Sequence, residues 1–564
     1  MHFKYPIQYL KETSNLNETV KQDLELVETT DPSLNSIYSN FINTKSELGK
    51  ISLEEMSNYY TTNTNFLKDT QNIVQNVNKI NTKNEIISKT YDNWKNIKDE
   101  SYFIEKYQYI GWDKLKFLNN STLFLQLLSI YNIFSPIINL ISPLLIFIVP
   151  FLMLKTLRVK ITWDMYKKIL VMQLKNHAIG KLFTSFGSVK PSQKLYILFC
   201  AGMYVYNLYQ NIISCIRYYK NSYFILENIN QLKLYLKHTI ENMENFKKNT
   251  EKCKTYKSFL SDLQDQKDKL EFFLEEIKLI PQKTLSFKNI LMLGKTMQSF
   301  YKIYECIDLN ETMTYSFKFN GYVECLKGIH KNASEKKINK VKFKQKGNIC
   351  KFKKMFHPSI VNPIKNNVDL SKNKIITGPN ASGKTTILKT VLINIILSQQ
   401  YGYGYFDSGT INPYHKIHCY LNIPDTSGRD SLFQAEARRC KEILDSIEDD
   451  SESRHICIFD ELYSGTNPYE AVSSAYGFLK YIKKNKNVNF LLTTHFIRLC
   501  NLLNKDIDIE NCRMKSSIKN YKPNYYYILE KEISKIKGGI AVLKEIDYPE
   551  EILEYAKTIL EKLD

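Results

Sequence analysis

Residues 373–390 read NKIITGPNASGKTTILKT, and Gly378 through Thr385 fit the pattern G-x-x-x-x-G-K-[ST]. Such a loop works only where a strand delivers it and a helix leaves it, because its backbone N–H groups and the helix N-terminus together surround an anionic phosphate. Both flanks are present. Lys374 to Thr377 form a short strand-like run, and Ile387, Leu388, Val391, Leu392 and Ile395 line one face of a helix after the loop. The chain must therefore contain an α/β layer with a nucleotide pocket at a strand end. The candidate nucleotide-binding residues are Gly378, Pro379, Asn380, Ala381, Ser382, Gly383, Lys384, Thr385 and Thr386. Lys384 is expected at the β- and γ-phosphates of ATP and Thr385 on Mg2+.

Two further apolar runs end in chemistry. His455-Ile-Cys-Ile-Phe closes on Asp460-Glu461. Carboxylates at a buried strand end are costly unless a cation or a bound water uses them; Asp460 suits the metal and Glu461 suits a general base for water. Val488-Asn-Phe-Leu-Leu-Thr493 leads into Thr494-His495, and His495 at a neighbouring strand end can sense the γ-phosphate. The fold class that follows is a C-terminal α/β P-loop (ABC-type) ATPase domain with a mainly parallel sheet, preceded by a mostly α-helical core and lever. The expected segments are 1–115, polar and helical; 116–220, apolar helices with a basic loop; 221–326, helical lever; and 327–564, the ATPase domain.

The middle of the chain is unlike its ends. No Asp, Glu, Lys or Arg occurs from Phe117 to Leu154, a stretch longer than the roughly 20 apolar residues of a transmembrane helix. Pro136, Pro143 and Pro150 should bend or break it, so a kinked span or a re-entrant hairpin is expected; a buried soluble hairpin is the bland alternative. A weaker uncharged run covers 195–216. The residues between, 155–194, carry nine Lys or Arg against the single acid Asp164, which places that loop on the cytosolic side if the runs are inserted. Farther on, Ile225, Ile229, Leu232, Leu236, Ile240, Met243 and Phe246 recur at helical spacing. Phe259, Leu263, Leu270, Phe273 and Ile277 repeat it, and Pro281 ends the pair.

Formal charge is +20, from 78 Lys and Arg against 58 Asp and Glu. That surplus suits DNA or an acidic membrane face, although a chain rich in Lys, Asn, Ile and Tyr also reflects an AT-rich coding sequence. Lys327 to Lys354 holds eleven lysines and one acid, Glu335; a solvated linker is favoured over a DNA-facing stripe, and the alternation Val341-Lys342-Phe343-Lys344 looks like an edge strand with its lysines facing out. Eleven cysteines contain no C-x-x-C pair, which argues against zinc and against a disulfide framework. Met1 to Leu10 lack the apolar run of a secretory signal. An intracellular protein is expected, with the ATPase domain on the cytosolic side of any membrane it meets.

The C-terminal motifs together resemble the MutS family of DNA mismatch-repair ATPases, from about residue 315 to 564. The shared features are His357-Pro358, Gly378-Pro379-Asn380, and Asp460-Glu461 followed by Gly465-Thr466. Pro363-Ile-Lys-Asn-Asn367 is similar to the family's adenine-packing stretch, implying Ile364 at the base and Asn367 near the phosphates. Ser431-Leu-Phe-Gln-Ala-Glu436 looks like the family's S-T-F-x-x-E loop, implying that Ser431 completes the site of a partner subunit. The closing run GGIAVLKEIDYPEEILEYAKTIL is similar to the family's dimer-supporting end. A homodimer with ATP, Mg2+ and DNA as ligands is what the resemblance implies. Departures are Ala381-Ser382 within the loop and Asn467-Pro468 after Thr466. No N-terminal mismatch-reading module is evident; Phe103-Ile-Glu105 has its Phe-x-Glu spacing within a helical-looking region and is read as coincidence. Alternatives are a membrane-anchored mechanical ATPase without a DNA role, and an ABC- or SMC-type ATPase, whose signature Ser427-Gly428-Arg429-Asp430-Ser431 fits poorly.

Overall fold

Interleaving along the chain distinguishes the fold from a string of consecutive segments. In the computed structural model, which describes residues 3–156, 162–281, 290–421, 431–519, 522–536 and 539–562, one compact unit comprises 1–82, 241–265 and 315–564. The other comprises 83–240 and 266–314. Of residues 1–115, expected to be one polar helical region, 1–82 thus belong with the C-terminal sheets and 83–115 with the other unit. Tyr38, Phe41 and Leu67 are fully buried. Gln71 donates to the carbonyls of Val341 and Gly402, at 2.9 and 2.6 Å.

The all-helical unit contains α1, Thr122–Thr156, and α2, Trp163–Asn176. It also holds α3, Pro191–Thr250, as far as residue 240; the later part of α4, Lys257–Lys278; and α5, Leu293–Glu305. Of the kinked span and the re-entrant hairpin expected over 117–154, the hairpin is not found: α1 is one helix that continues through Pro136, Pro143 and Pro150. The stretch contains no glycine to supply a left-handed turn residue, whereas a proline within a helix removes one hydrogen bond and leaves the others. α1 meets α5 closely at Gly294: a Cβ there would lie 2.3 Å from the Thr122 carbonyl oxygen, and Gly294 N donates to Gln126 Oε1 at 2.8 Å. Away from that contact many of its described apolar side chains are exposed, among them Leu123, Leu127, Tyr131, Ile138, Phe147 and Phe151. Among the described residues, Thr122–Asn139 is the one window long and apolar enough to cross a membrane. The run 195–216 lies within α3 and does not qualify. The helical periodicity read farther along is matched by burial: Ile225, Ile229, Leu232, Leu236, Met243 and Phe246 on α3, and Phe259, Leu263, Leu270, Phe273 and Ile277 on or beside α4, are all buried. Ile240 alone of that series is half-buried. Phe103 is buried and stacks on Tyr304 with ring centroids 3.8 Å apart, so its motif-like spacing serves packing.

The other unit begins with β1, Thr13–Asn15, antiparallel to β2, Tyr59–Thr61. Helix α6, Ile307–Ser334, belongs to it from Tyr315 onward. A five-stranded mixed sheet follows, built from β3 (Asn339–Phe343), β4 (Cys350–Met355), β5 (Asn366–Asp369), β7 (Tyr403–Gly404) and β8 (Ser408–Ile411), in the order β5-β4-β8-β3-β7. The lysine-rich 327–354 stretch is therefore not a linker: it is the end of α6 and the strands β3 and β4, which pair on either side of β8. Alternation explains the composition. Cys350, Phe352 and Met355 of β4 face inward while Lys351, Lys353 and Lys354 stay in water.

A six-stranded sheet carries the motifs. It comprises β6 (Asn373–Thr377), β9 (Lys416–Tyr420), β10 (His455–Asp460), β11 (Val488–Thr493), β12 (Ile509–Lys519) and β13 (Lys522–Lys531), ordered β13-β12-β6-β11-β10-β9. Every neighbouring pair is parallel except β12 with β13. Helices α7 (Lys384–Tyr401), α8 (Leu432–Asp449), α9 (Pro468–Ile482), α10 (Gly539–Glu545) and α11 (Glu550–Lys562) complete the unit. Central strands buried on both faces read as continuous apolar runs, and Cys457, Phe459, Phe490 and Leu492 pack with Ala475, Leu479 and Leu503 in one core.

Candidate functional site

β6, β11 and β10 lie side by side, and their register brings Ile376 level with Thr493 and Thr493 level with Asp460. All three end at the same edge. Glu461 N donates to the Thr493 carbonyl, and Thr494 N to that of Ile376, both at 3.1 Å. The sequence patterns read at 378–385, 460–461 and 494–495 thus converge at one place. Between β6 and α7 the loop turns through Ala381 and Gly383, with φ of +61° and +90°. Gly383 suits its left-handed backbone, and the Tyr527 ring would lie 3.2 Å from a Cβ placed there.

Lys384 starts α7 and is almost wholly buried. Its Nζ donates to the carbonyls of Gly378 and Pro379 at 3.2 and 3.3 Å, and lies 3.0 Å from His495 Nε2 and 3.8 Å from Glu461 Oε1. Burial depresses its pKa, opposed by the charges of Glu461 and Asp460. Glu461 Oε1 sits 2.9 Å from His495 Nε2. That hydrogen bond, helped by Lys384 and opposed by burial, holds the carboxyl below the usual glutamate range. His495 Nε2 cannot both donate to Glu461 and accept from Lys384. Thr385 Oγ1 donates to Asp460 Oδ2 at 2.8 Å, and Thr493 Oγ1 donates to the other oxygen.

A cavity of about 780 Å³ opens over this edge. Asn380, Ala381, Gly383, Lys384, Thr385, Thr386 and Glu461 line its floor. Phe356, His357, Ile360, Pro363, Ile364 and Asn366 line its side, together with Met514 and Tyr527 from the β12–β13 hairpin. Its size suits a nucleotide. The buried Ser382 Oγ has no hydrogen-bond partner among the described residues, a vacant donor beneath a loop whose geometry accepts phosphate. Thr385 and Asp460, already bonded, form a hydroxyl–carboxylate pair of the hard-oxygen kind that Mg2+ takes.

Of the expected site residues, Ile364 and the floor residues line the cavity. Asp460 and His495 reach it through Thr385, Lys384 and Glu461. Gly378, Pro379 and Ser382 lie beneath, around Lys384. One expectation differs. Asn367 does not line the cavity: its Oδ1 accepts the Lys354 N–H at 2.8 Å on the outer face. Neighbouring residues in a strand point oppositely, so Asn366 is the inward one, holding Tyr527 O and Leu529 N at 2.9 and 2.7 Å. Ser431, expected to act at the site of a partner subunit, does not line this cavity. It caps α8, accepting from Gln434 N at 3.3 Å while Gln434 Oε1 accepts from Ser431 N. The signature tested at Ser427–Asp430 falls outside the described residues. Met514 and Tyr527 carry no local motif; only Tyr527's φ of +57° marks it as unusual. The departure Asn467-Pro468 has a local use. Asn467 Oδ1 caps α9, accepting from Tyr469 N and Glu470 N, with Pro468 in the first turn.

A parallel sheet with a loop, two acids and a histidine at adjacent strand ends defines an α/β domain of the nucleotide-site class. Residues 374–564 match the family model for MutS domain V. The DNA mismatch repair protein MutS of Orientia tsutsugamushi (strain Ikeda) is 31% identical over 192 residues, 34% of this chain and 21% of that protein. Its counterpart in Listeria monocytogenes serotype 4a is 26% identical over 206 residues, 36% and 23% of the two chains. Endonuclease MutS2 of Thermus thermophilus is 27% identical over 211 residues, 36% and 27%. The likeness to the MutS family that these matches give lies in this C-terminal third. The match spans only about a fifth to a quarter of the length of those relatives.

Proposed function

We propose that residues 340–564 form a P-loop ATPase domain that binds ATP with Mg2+ and hydrolyses it at composite sites shared by two copies of the chain. The observation that carries this is the meeting of Lys384, the Thr385–Asp460 pair and the Glu461–His495 pair on three adjacent strand ends. Lys384 leaves the carbonyls of Gly378 and Pro379 for the β- and γ-phosphates. Thr385 and Asp460 would hold Mg2+, which would supply positive charge to the phosphate oxygens. Ile364, Phe356 and Tyr527 enclose the base. Glu461, kept ionised, takes a proton from the water that attacks the γ-phosphorus; the bond to the β-bridging oxygen breaks and ADP leaves. Once Lys384 turns to phosphate, His495 is free to donate to Glu461 or to the γ-phosphate. Ser431 approaches the nucleotide held by the second copy.

The family resemblance and the charge of +20 support DNA as the polyanion served by this engine, in mismatch repair or recombination. In the test, Lys384→Ala abolishes nucleotide binding, whereas Glu461→Ala binds ATP and turns over about 100-fold or more slowly, accumulating a nucleotide-bound dimer. Wild-type turnover in Glu461→Ala defeats the general-base role. Turnover unchanged by duplex, mismatched and branched DNA defeats the DNA role.

The exposed apolar flank of α1 favours a second reading, in which the same engine is anchored to a membrane. An exposed surface of that kind marks a lipid or protein contact, and 155–194 supplies basic residues for acidic headgroups. A full-length protein that stays entirely soluble without detergent, and ignores acidic vesicles, rules it out.

A further inference from the structure

The loop after Glu461 is held by more than the nucleotide site. Glu461 and Tyr463 have φ of +53° and +58°, a left-handed backbone that costs a non-glycine residue energy and persists only where neighbours over-determine it. Those neighbours belong to the first turns of α8. Gly465 lies so close that a Cβ would meet Leu432 Cγ at 2.7 Å and Phe433 N at 2.9 Å. The rings of Phe433 and Tyr463 have centroids 5.7 Å apart. Glu436, 2% exposed, accepts from Ser464 N at 3.1 Å, Ser464 Oγ at 2.9 Å and Gly465 N at 3.2 Å. A carboxylate this far from water is tolerable when donors fill its oxygens, and here all three come from the loop that carries Glu461.

Ser431 caps the same helix, five residues before Glu436, or about 7.5 Å along the axis. We propose that the first turns of α8 and residues 461–466 move as one block, and that Glu436 is the positioning residue that passes a displacement of Ser431 to Glu461. This rests on the reading above, in which Ser431 meets the second copy's nucleotide and Glu461 serves its own. Filling one site then sets the geometry of the base in the other. Gly465 allows the close approach, Phe433 against Tyr463 keeps the surfaces in register, and Glu436 makes the joint directional.

The test uses the full chain as wild type, Glu436→Gln, Glu436→Asp and Ser431→Ala. It measures steady-state turnover against ATP concentration, affinity for a fluorescent ATP analogue, and amide exchange at Ser464 and Gly465. Glu436→Gln places an NH2 among three donors. Its turnover should fall about tenfold, as small misplacements of a catalytic group do. Its nucleotide affinity should stay within about twofold, cooperativity in ATP should vanish as in Ser431→Ala, and both amides should exchange faster. Glu436→Asp, which keeps the charge, should recover part of the turnover. Wild-type turnover and cooperativity in Glu436→Gln overturn the proposal, as does a loss of turnover matched by an equal loss of affinity, which indicates a general structural role. A wild-type chain that hydrolyses no ATP defeats the nucleotide reading instead. The exchange measurement then decides alone, and unchanged protection at Ser464 and Gly465 overturns the block.

Discussion

The six-stranded sheet and helix α1 are both built from long apolar runs, and they use them in opposite ways. In β10 and β11 every apolar side chain is buried, so each strand has one place in space and its final residues can be aimed. In α1 the apolar side chains mostly face outward, so the run specifies a helix and a contact surface but aims nothing. The difference shows why chemistry collects where a buried run stops: backbone pairing fixes Asp460 beside Thr493 to within a hydrogen bond, which a side chain on a one-sided helix does not experience.

Substitution should expose the contrast most strongly in stability. Leu492→Ala removes side-chain packing within the core and is expected to cost about 2–5 kcal/mol in denaturant unfolding. Leu127→Ser on α1 is expected to stay within about 0.5 kcal/mol while lowering vesicle binding or self-association. Equal costs at the two positions would mean that α1 is covered.

Acid separates the two regions next, because the sheet buries histidines. Burial, with His455 beside it, pushes the pKa of His418 down to about 3, and burial depresses that of His455. The unfolded chain protonates both near pH 6.5, so below that pH it binds protons the folded chain refuses. Stability should be complete above pH 6.5 and fall as pH drops toward 4, by up to about 1.4 kcal/mol per pH unit for each histidine kept neutral. Unfolding midpoints followed by tryptophan-independent far-UV dichroism would check it, and a flat profile would refute the assignment. Smaller still is the helix cap: Asn467→Ala should cost about 1 kcal/mol. Smallest is the pair on β5, where Asn367→Ala leaves ATP affinity unchanged and Asn366→Ala, which frees Tyr527, weakens it.

How much of this was legible depended on whether the signal was local. The loop at 378–385, the acids at 460–461 and His495 were readable because each ends a buried run, and a parallel sheet puts such ends on one edge. Asn366 was displaced to Asn367 because a one-residue shift in a strand reverses every side chain, and a family pattern alone does not carry that register. Tyr527 was unreadable, since it reaches the cavity by a hairpin more than a hundred residues away in sequence. The lysines at 327–354 suggested a linker because lysine signals water, not loops; alternate strand positions reach water equally well, as the alternation at Val341–Lys344 indicated. The prolines of α1 left a bend and a break both open, and the break is absent: with no glycine to turn the chain, the helix runs on.

Those prolines leave α1 with a mechanical character. Pro136, Pro143 and Pro150 have no N–H to give the carbonyls of Asn132, Asn139 and Ile146. At seven-residue spacing these missing rungs recur about every 10.5 Å along nearly the same side. A rod notched repeatedly on one side is stiff across the notches and compliant in their plane, so α1 yields to load in a preferred direction. Restoring the rungs with Pro143→Ala would stiffen that plane and leave the sheet unchanged.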